Sequence, residues 1–311
     1  MVRQRSAKPS SAGSIPAVAS SFPTPENFAF VPTVESHGWY RLAPFRWSAE
    51  EEVLRRKEAF GDEVVDLEIR WAKGELRVNR PPAVHDAGAV GGGSFAPALP
   101  PPALRMTGEL ERRLTRMFQL HVDLGGFHSL TRNSPAHAWV APAGFGRLLC
   151  GATLWEDAVK IIATTNTMWS QTVRMVEMLV AKCGRDGAFP SQEDILRFSA
   201  DELQRDCRLG YRAKSIHALA SVDLELPNDG TTEERFKRFL ELPGIGPYGA
   251  AHLLAMDGRH DFIAVDTEFR RFVRETYHGG RKVSDATMLR RYAKWGQWKY
   301  LAYWSELWGS R

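Results

Sequence analysis

The sequence predicts a mostly α-helical protein with a small antiparallel β-sheet near its N-terminus, an α+β arrangement. Three observations carry that expectation. Residues 28–80 keep an apolar period of two, residues after 104 keep apolar spacings of three and four behind repeated helix-start signals, and a Pro- and Gly-rich stretch separates the two patterns.

Taken in order, residues 1–25 contain Arg3, Arg5 and Lys8, many Ser, Ala and Pro, and no acid before Glu26. This is the composition of a disordered basic arm. An organelle transit peptide is also acid-poor and Ser/Arg-rich, but Pro9, Pro16, Pro23 and Pro25 spoil an amphipathic helix. The sheet domain is expected over 26–80. Val65, Leu67, Ile69 and Trp71 alternate with Asp66, Glu68 and Arg70, and Leu76 and Val78 alternate with Glu75, Arg77 and Asn79 across an Ala72-Lys73-Gly74 turn. That is a β-hairpin, and His37 to Leu42 is expected as a further strand. Residues 81–104, with Gly91-Gly92-Gly93 and Pro100-Pro101-Pro102, read as a flexible connection. No strand leads into those glycines and no Gly-Lys-Ser/Thr leads out, so they are no phosphate loop.

From 105 to 311 a helical core is expected. Capping boxes are predicted at Thr153 with Glu156, Ser191 with Asp194, and Ser199 with Glu202. Between the first two lies a polar break, Ala163 to Trp169, and Leu209-Gly210-Tyr211-Arg212 follows a second junction. The aromatic stripe from Trp295 to Trp308 reads as core, with Trp298 and Tyr300 shaping a neighbouring hollow.

The stretch richest in chemistry runs from Leu240 to Phe272. Phe236, Phe239 and Leu240 keep helical spacing before Leu242-Pro243-Gly244-Ile245-Gly246-Pro247, and Ala250, Leu253 and Leu254 keep it after, so a helical hairpin is predicted. Gly244 and Gly246 permit positive φ and close backbone approach, and Pro247 suits the first helical position. The free amides of such a helix start accept an anion, and a DNA phosphate fits a loop offering backbone donors without sequence-reading side chains. An ordinary interhelical turn is the alternative for a bare Gly-x-Gly. The helix is expected to end at Met256, Asp257-Gly258 to turn the chain, and Phe262 to Val265 to return Asp266 toward the hairpin as the N-cap of the next helix.

LPGIGPYGA followed by IAVDTEFRRF resembles the signature of the helix-hairpin-helix DNA glycosylases, and the 18-residue step from Tyr248 to Asp266 is similar to that of the endonuclease III branch. The resemblance implies that Asp266 is the catalytic carboxylate. It would stabilise the positive charge that builds on the sugar as an N-glycosidic bond breaks, and orient the attacking water. Tyr248 stands where strand-cutting branches place a lysine, so the implied enzyme is monofunctional: it has no amine there to form a Schiff base. Leu242, Gly244, Ile245 and Gly246 would hold the DNA backbone, and Tyr248, His252 and Trp169 would belong to the base pocket or hairpin, with a core histidine as the other reading of His252. Asn166 matches the position that fills the hole left by an extruded base. Tyr211 and Arg212 resemble the wedge and orphan-base residues of the 8-oxoguanine branch. The N-terminal sheet resembles that of the alkylation-repair and 8-oxoguanine branches. An aromatic residue at 248 fits alkylated bases, which stack and, when cationic, make cation–π contacts. An oxidised-guanine glycosylase and a non-catalytic helix-hairpin-helix DNA-binding module are the alternatives.

Composition bounds the rest. A net charge of +4 over 311 residues points to no partner by itself, but residues 266–311 carry ten Lys or Arg against five Asp or Glu, suiting either a phosphate-facing surface or a solvated one. Cys150, Cys183 and Cys207 are scattered, which suggests a reducing interior, and none follows Asp266, so the iron–sulfur cluster of the endonuclease III branch is not expected. No side-chain cluster has catalytic metal spacing. The resemblance leaves room for a structural monovalent cation on hairpin carbonyls and implies no other cofactor. No apolar run reaches the ~20 residues that span a bilayer. A monomer acting on damaged double-stranded DNA inside the cell, in nucleoid, cytoplasm or nucleus, is the expectation.

Overall fold

The computed structural model describes residues 18–80, 102–224 and 229–310. Five strands, β1 (Val18–Pro23), β2 (Arg46–Ser48), β3 (Val53–Phe60), β4 (Glu63–Ala72) and β5 (Glu75–Arg80), form one antiparallel sheet in the order β1-β5-β4-β3-β2. The predicted hairpin is β4–β5. Lys73 and Gly74 both take positive φ, 54° and 77°, giving the two-residue turn whose twist matches the strands. Ile69 pairs with Val78, and Val65, Leu67, Ile69, Leu76 and Val78 are all buried on one face.

Two expectations about this region change. Val18–Pro23, assigned to the arm, is the edge strand β1: Phe22 lies opposite Leu76 and buries its ring, which the proline-rich composition concealed. Residues 1–17 and 81–101 lie outside the described residues, and with them most of the expected arm and connection. Residues 38–41 form a 3-10 turn and not a strand, because His37 and Trp39 are drawn into the helical core: Trp39 Nε1 donates to Asp157 Oδ1 at 2.8 Å and His37 Nε2 lies 2.7 Å from the Leu149 carbonyl. The short helix α1 (Phe30–Val34) precedes this turn.

The helices are α2 (Pro102–Met117), α3 (Gly125–Thr131), α4 (Leu154–Thr164), α5 (Trp169–Cys183), α6 (Gln192–Leu196), α7 (Ala200–Asp206), α8 (Arg212–Leu219), α9 (Thr232–Leu240), α10 (Pro247–Met256), α11 (Thr267–His278), α12 (Asp285–Arg290) and α13 (Lys299–Gly309). Helix α2 begins inside the stretch expected as connection, at a proline, whose fixed φ and missing amide suit a helix start. The capping boxes at Ser191 and Ser199 form. That at Thr153 is half made: its hydroxyl accepts from the Glu156 amide, but the Glu156 carboxylate turns inward instead of back to Thr153.

That inward turn joins sheet to helices. Glu156 pairs with Arg56 of β3 at 3.0 Å and with Lys160 at 2.6 Å; Arg56 also meets Glu58 at 2.5 Å, and Glu58 meets Arg113 of α2. Asp157 pairs with Arg116 at 2.6 Å and accepts from the Gly151 amide at 2.7 Å. Arg56, Glu156, Asp157 and Lys160 are at most 1% exposed, so their desolvation is offset by this mutual pairing and by the hydrogen bonds that Asp157 and Glu156 accept. Arg56 and Lys160 both sit 4.6 Å from the Phe45 ring centre. Two apolar clusters complete the core. One runs from the sheet through α4, α5 and α8, the other gathers α11, α12 and α13. The site described next lies where they meet, with Trp39 from the first and Tyr300 from the second.

Candidate active site

The predicted helical hairpin is α9–α10. Thr231 and Glu234 form a capping box at its start, and Phe239, Leu242 and Ile245 anchor its turn in the core. The two glycines differ. Gly244 has φ +80°, and a Cβ there would come within 2.6 Å of Ser215 Cβ, so the turn locks onto α8 only without a side chain. Gly246 has φ −98°, not the positive value expected, and a Cβ there would meet nothing within 4 Å. It caps α10 with no side-chain bond, Pro247 occupies the first turn, and the turn's outer face is exposed. Bare backbone amides at a helix start are what an anion requires.

Helix α10 spans Pro247 to Met256 as the spacing predicts, Gly258 turns the chain at φ +80°, and Ile263 and Ala264 bury on the way back. Asp266 caps α11, its Oδ1 accepting the Phe269 amide at 2.7 Å. Burial raises its carboxyl above the ordinary value, with that amide bond opposing. The carboxylate therefore has one fixed orientation and an incomplete water shell.

Asp266 lines a cavity of about 760 Å³ whose walls come from four parts of the chain. Helix α10 supplies Tyr248 and His252, one turn apart with ring centres 5.8 Å from each other. The 3-10 turn supplies His37 and Trp39, the indole stacked on His252 at 5.5 Å and 17°. Trp169 packs against Gly38, where a Cβ would come 2.4 Å from its Cζ2. Helix α13 supplies Tyr300, Tyr303 and Trp304. Burial lowers His37 to about 3, assisted by the charge of His252, and lowers His252 to about 4, so both imidazoles are neutral at pH 7. Burial and the Asp266 charge push the Tyr248 phenol up to about 12, a hydrogen bond with Thr164 opposing.

The polar break between α4 and α5 forms the rim. Asn166 is exposed at φ 46° and lines the cavity edge. Tyr211, 58% exposed, brings its hydroxyl within 3.2 Å of Thr165 Oγ1 and 3.3 Å of Asn166 Nδ2. Met168 projects beside them, 66% exposed. Arg212 does not join this exposed group: it is 7% exposed, and its guanidinium donates to the carbonyls of Leu209, Thr165 and Asn166. It supports the rim from beneath and does not face outward as an orphan-base contact would. Trp298 is also displaced from its expected place, stacking on His260 at 5.9 Å and 27°, while Tyr300 does line the cavity.

Residues 159–297 match the family model of HhH-GPD superfamily base excision DNA repair proteins, a span that holds the hairpin, Tyr248 and Asp266. The match takes in most of the helical core. No curated protein matches the sequence. Among solved structures, MBOgg1 in complex with a low-affinity DNA ligand is similar at TM-score 0.68 and 18% identity, with 97% of each chain covered. A 3-methyladenine DNA glycosylase from Archaeoglobus fulgidus is similar at TM-score 0.68 and 17% identity, covering 94% of this chain and 98% of that one. An 8-oxoguanine glycosylase/lyase from Clostridium acetobutylicum, with double-stranded DNA containing cytosine opposite 8-oxoguanine, reaches TM-score 0.65 at 17% identity and 92% of each chain. At these identities the likeness is one of fold, and it extends over the sheet as well as the HhH-GPD core.

His37, Trp39, Thr164 and Trp304 line the cavity without having been expected there. The signal for the first two was present, a His and a Trp flanking a glycine. Reading that segment as a strand assigned them to the sheet.

Proposed function

We propose that this protein is a monofunctional DNA glycosylase that removes alkylated bases from double-stranded DNA. The observation that carries the proposal is Asp266, held by its own helix cap inside an aromatic cavity large enough for a base. A damaged nucleotide is swung out of the duplex into that cavity, at a cost of a few kcal/mol of pairing and stacking. Met168, Tyr211 and Asn166 on the rim are the groups available to fill the gap, and the amides at Gly246 and the start of α10 hold a flanking phosphate. As the glycosidic bond stretches, positive charge grows on the sugar. A carboxylate whose protonation is favoured by burial and by the neighbouring Glu268 charge regains its preference for the ionised form as the sugar's charge approaches, so it favours the transition state over the ground state. Asp266 also orients the water that completes the reaction.

The electrostatics favour an alkylated, cationic base. His37 and His252 are neutral, Arg270 is held by Asp285 at 2.8 Å, and aromatic faces surround the space. No lysine lines the cavity and Tyr248 is a neutral phenol, so no Schiff base to the sugar is expected. No cofactor takes part in these steps.

Duplexes carrying 3-methyladenine, 7-methylguanine or 8-oxoguanine, heated in alkali after incubation, test the reading. The alkylated substrates are expected to yield abasic sites, and without alkali the strand stays intact. Asp266→Asn keeps the helix cap but removes the charge, and is expected to slow release by about 10²–10³-fold, the scale of losing one preorganised electrostatic group. Release at the native rate by that variant would overturn the mechanism. Release of 8-oxoguanine alone would overturn the substrate class.

A further inference from the structure

Buried polar atoms in folded proteins almost always have a partner, and one that does not calls for a reason. Three such atoms occur on residues that line this one cavity. His37 Nδ1, His252 Nε2 and Tyr300 Oη are out of reach of solvent and have no hydrogen-bond partner. Their side chains are 7%, 8% and 1% exposed and come from the 3-10 turn, α10 and α13. They are neighbours: the His252 ring centre lies 5.8 Å from His37 and 6.3 Å from Tyr300. Each costs the empty protein stability, since an unsatisfied buried group forfeits its hydration.

We propose that His37 Nδ1, His252 Nε2 and Tyr300 Oη together form the hydrogen-bonding face of the base cavity and select bases whose leading edge carries an N–H donor. This rests on the glycosylase reading above and names what that site admits. The donor requirement follows from His37. Its Nε2 lies 2.7 Å from the Leu149 carbonyl, which can only accept, so the ring proton sits on Nε2 and Nδ1 offers a lone pair. His252 and Tyr300 can each donate or accept, and adjust to the rest of the edge. Aromatic walls recognise any flat base; this face distinguishes an amino group from an edge that lacks one. The amino group of 3-methyladenine satisfies His37. In 1,N6-ethenoadenine the same nitrogen is closed into a ring and carries no hydrogen, leaving Nδ1 opposed to another lone pair. Sites built around a hydrogen bond reject analogues that lack it, because their own buried groups stay unpaired.

The test compares release of 3-methyladenine from methylated duplex DNA with release from duplexes containing 1,N6-ethenoadenine, alongside thermal melting. The native protein is expected to favour 3-methyladenine by at least about tenfold. Tyr300→Phe deletes one unpartnered oxygen and His252→Phe keeps the ring volume, so both are expected to melt at or above the native temperature while that preference shrinks. His260, whose ring nitrogens are equally unpartnered but which does not line the cavity, serves as control: His260→Phe is expected to keep the native preference. Equal release of the two bases by the native protein, or an unchanged preference in both cavity variants, overturns the polar face and leaves the glycosylase reading standing. Release of no base from any lesion removes both. Quenching of tryptophan fluorescence by free 3-methyladenine, weaker in Tyr300→Phe than in native protein, gives a reading independent of turnover, and equal quenching counts against the proposal.

Discussion

Two regions of this molecule bury polar groups, and they treat them in opposite ways. At the seam between sheet and helices the charges of Arg56, Glu58, Arg113, Glu156, Lys160, Arg116 and Asp157 are paired with one another. In the cavity, His37, His252 and Tyr300 each retain an unpaired atom. The seam is a network of ion pairs whose members orient one another, although Arg56 Nε within it has no hydrogen-bond partner. The cavity is unfinished, and what completes it comes from outside. The seam thus holds buried charges that are ion-paired with one another, whereas the cavity holds buried neutral groups whose free atoms have no hydrogen-bond partner.

Breaking the seam gives the largest expected effect. Glu156→Gln leaves Arg56 and Lys160 facing each other with one carboxylate fewer, and is expected to destabilise the protein by about 3–5 kcal/mol in denaturant titrations. A loss below about 1 kcal/mol would mean that the network is solvated and that the contrast fails. Acid comes next. His37 and His252 have folded values lowered to about 3 and 4, and His260, behind Tyr300, is lowered to about 3. The unfolded chain takes up these protons near pH 6.5 while the folded one does not, so their contribution is present above that pH and is lost as pH falls toward 4. The melting temperature is expected to drop over that interval, and by less in His252→Phe. Identical slopes in the two proteins would show that His252 is not held neutral. Tyr300→Phe has the smallest effect and the opposite sign. Removing an oxygen that has no partner is expected to raise stability by about 1 kcal/mol, whereas a measured loss of that size would reveal a bond that completes the face without substrate.

Legibility in the sequence followed the range of the interactions. The β4–β5 hairpin, α10 to its last residue, and the cap at Asp266 depend on neighbours within a few positions, and periodicity with turn chemistry sufficed for them. Three misreadings came from partners far along the chain. Trp39 is placed by Asp157, Glu156 abandons its capping box for Arg56, and Arg212 turns inward to the carbonyls at 165 and 166. The strand at 18–23 was hidden because a proline-rich composition outweighed one buried phenylalanine. Asp266, Tyr248, His252, Trp169 and Asn166 do come together around one cavity, while Leu242, Gly244, Ile245 and Gly246 form the neighbouring turn. The part of the cavity wall contributed by His37 and Trp39 was signalled only by a His and a Trp flanking Gly38, which a strand reading assigned to the sheet.

The Ser36 carbonyl accepts two indole N–H groups, from Trp304 at 2.8 Å and Trp308 at 2.9 Å, beside the turn that carries His37 and Trp39. The chain must therefore be made through Trp304 and Trp308, about 270 residues beyond Ser36, before those tryptophans can fasten the early segment in place. Contacts between such remote positions form late, after the loop entropy separating them has been overcome. A growing chain thus carries Asp266 and the Gly244–Gly246 turn before it can close the cavity wall that Ser36 and the two tryptophans fasten.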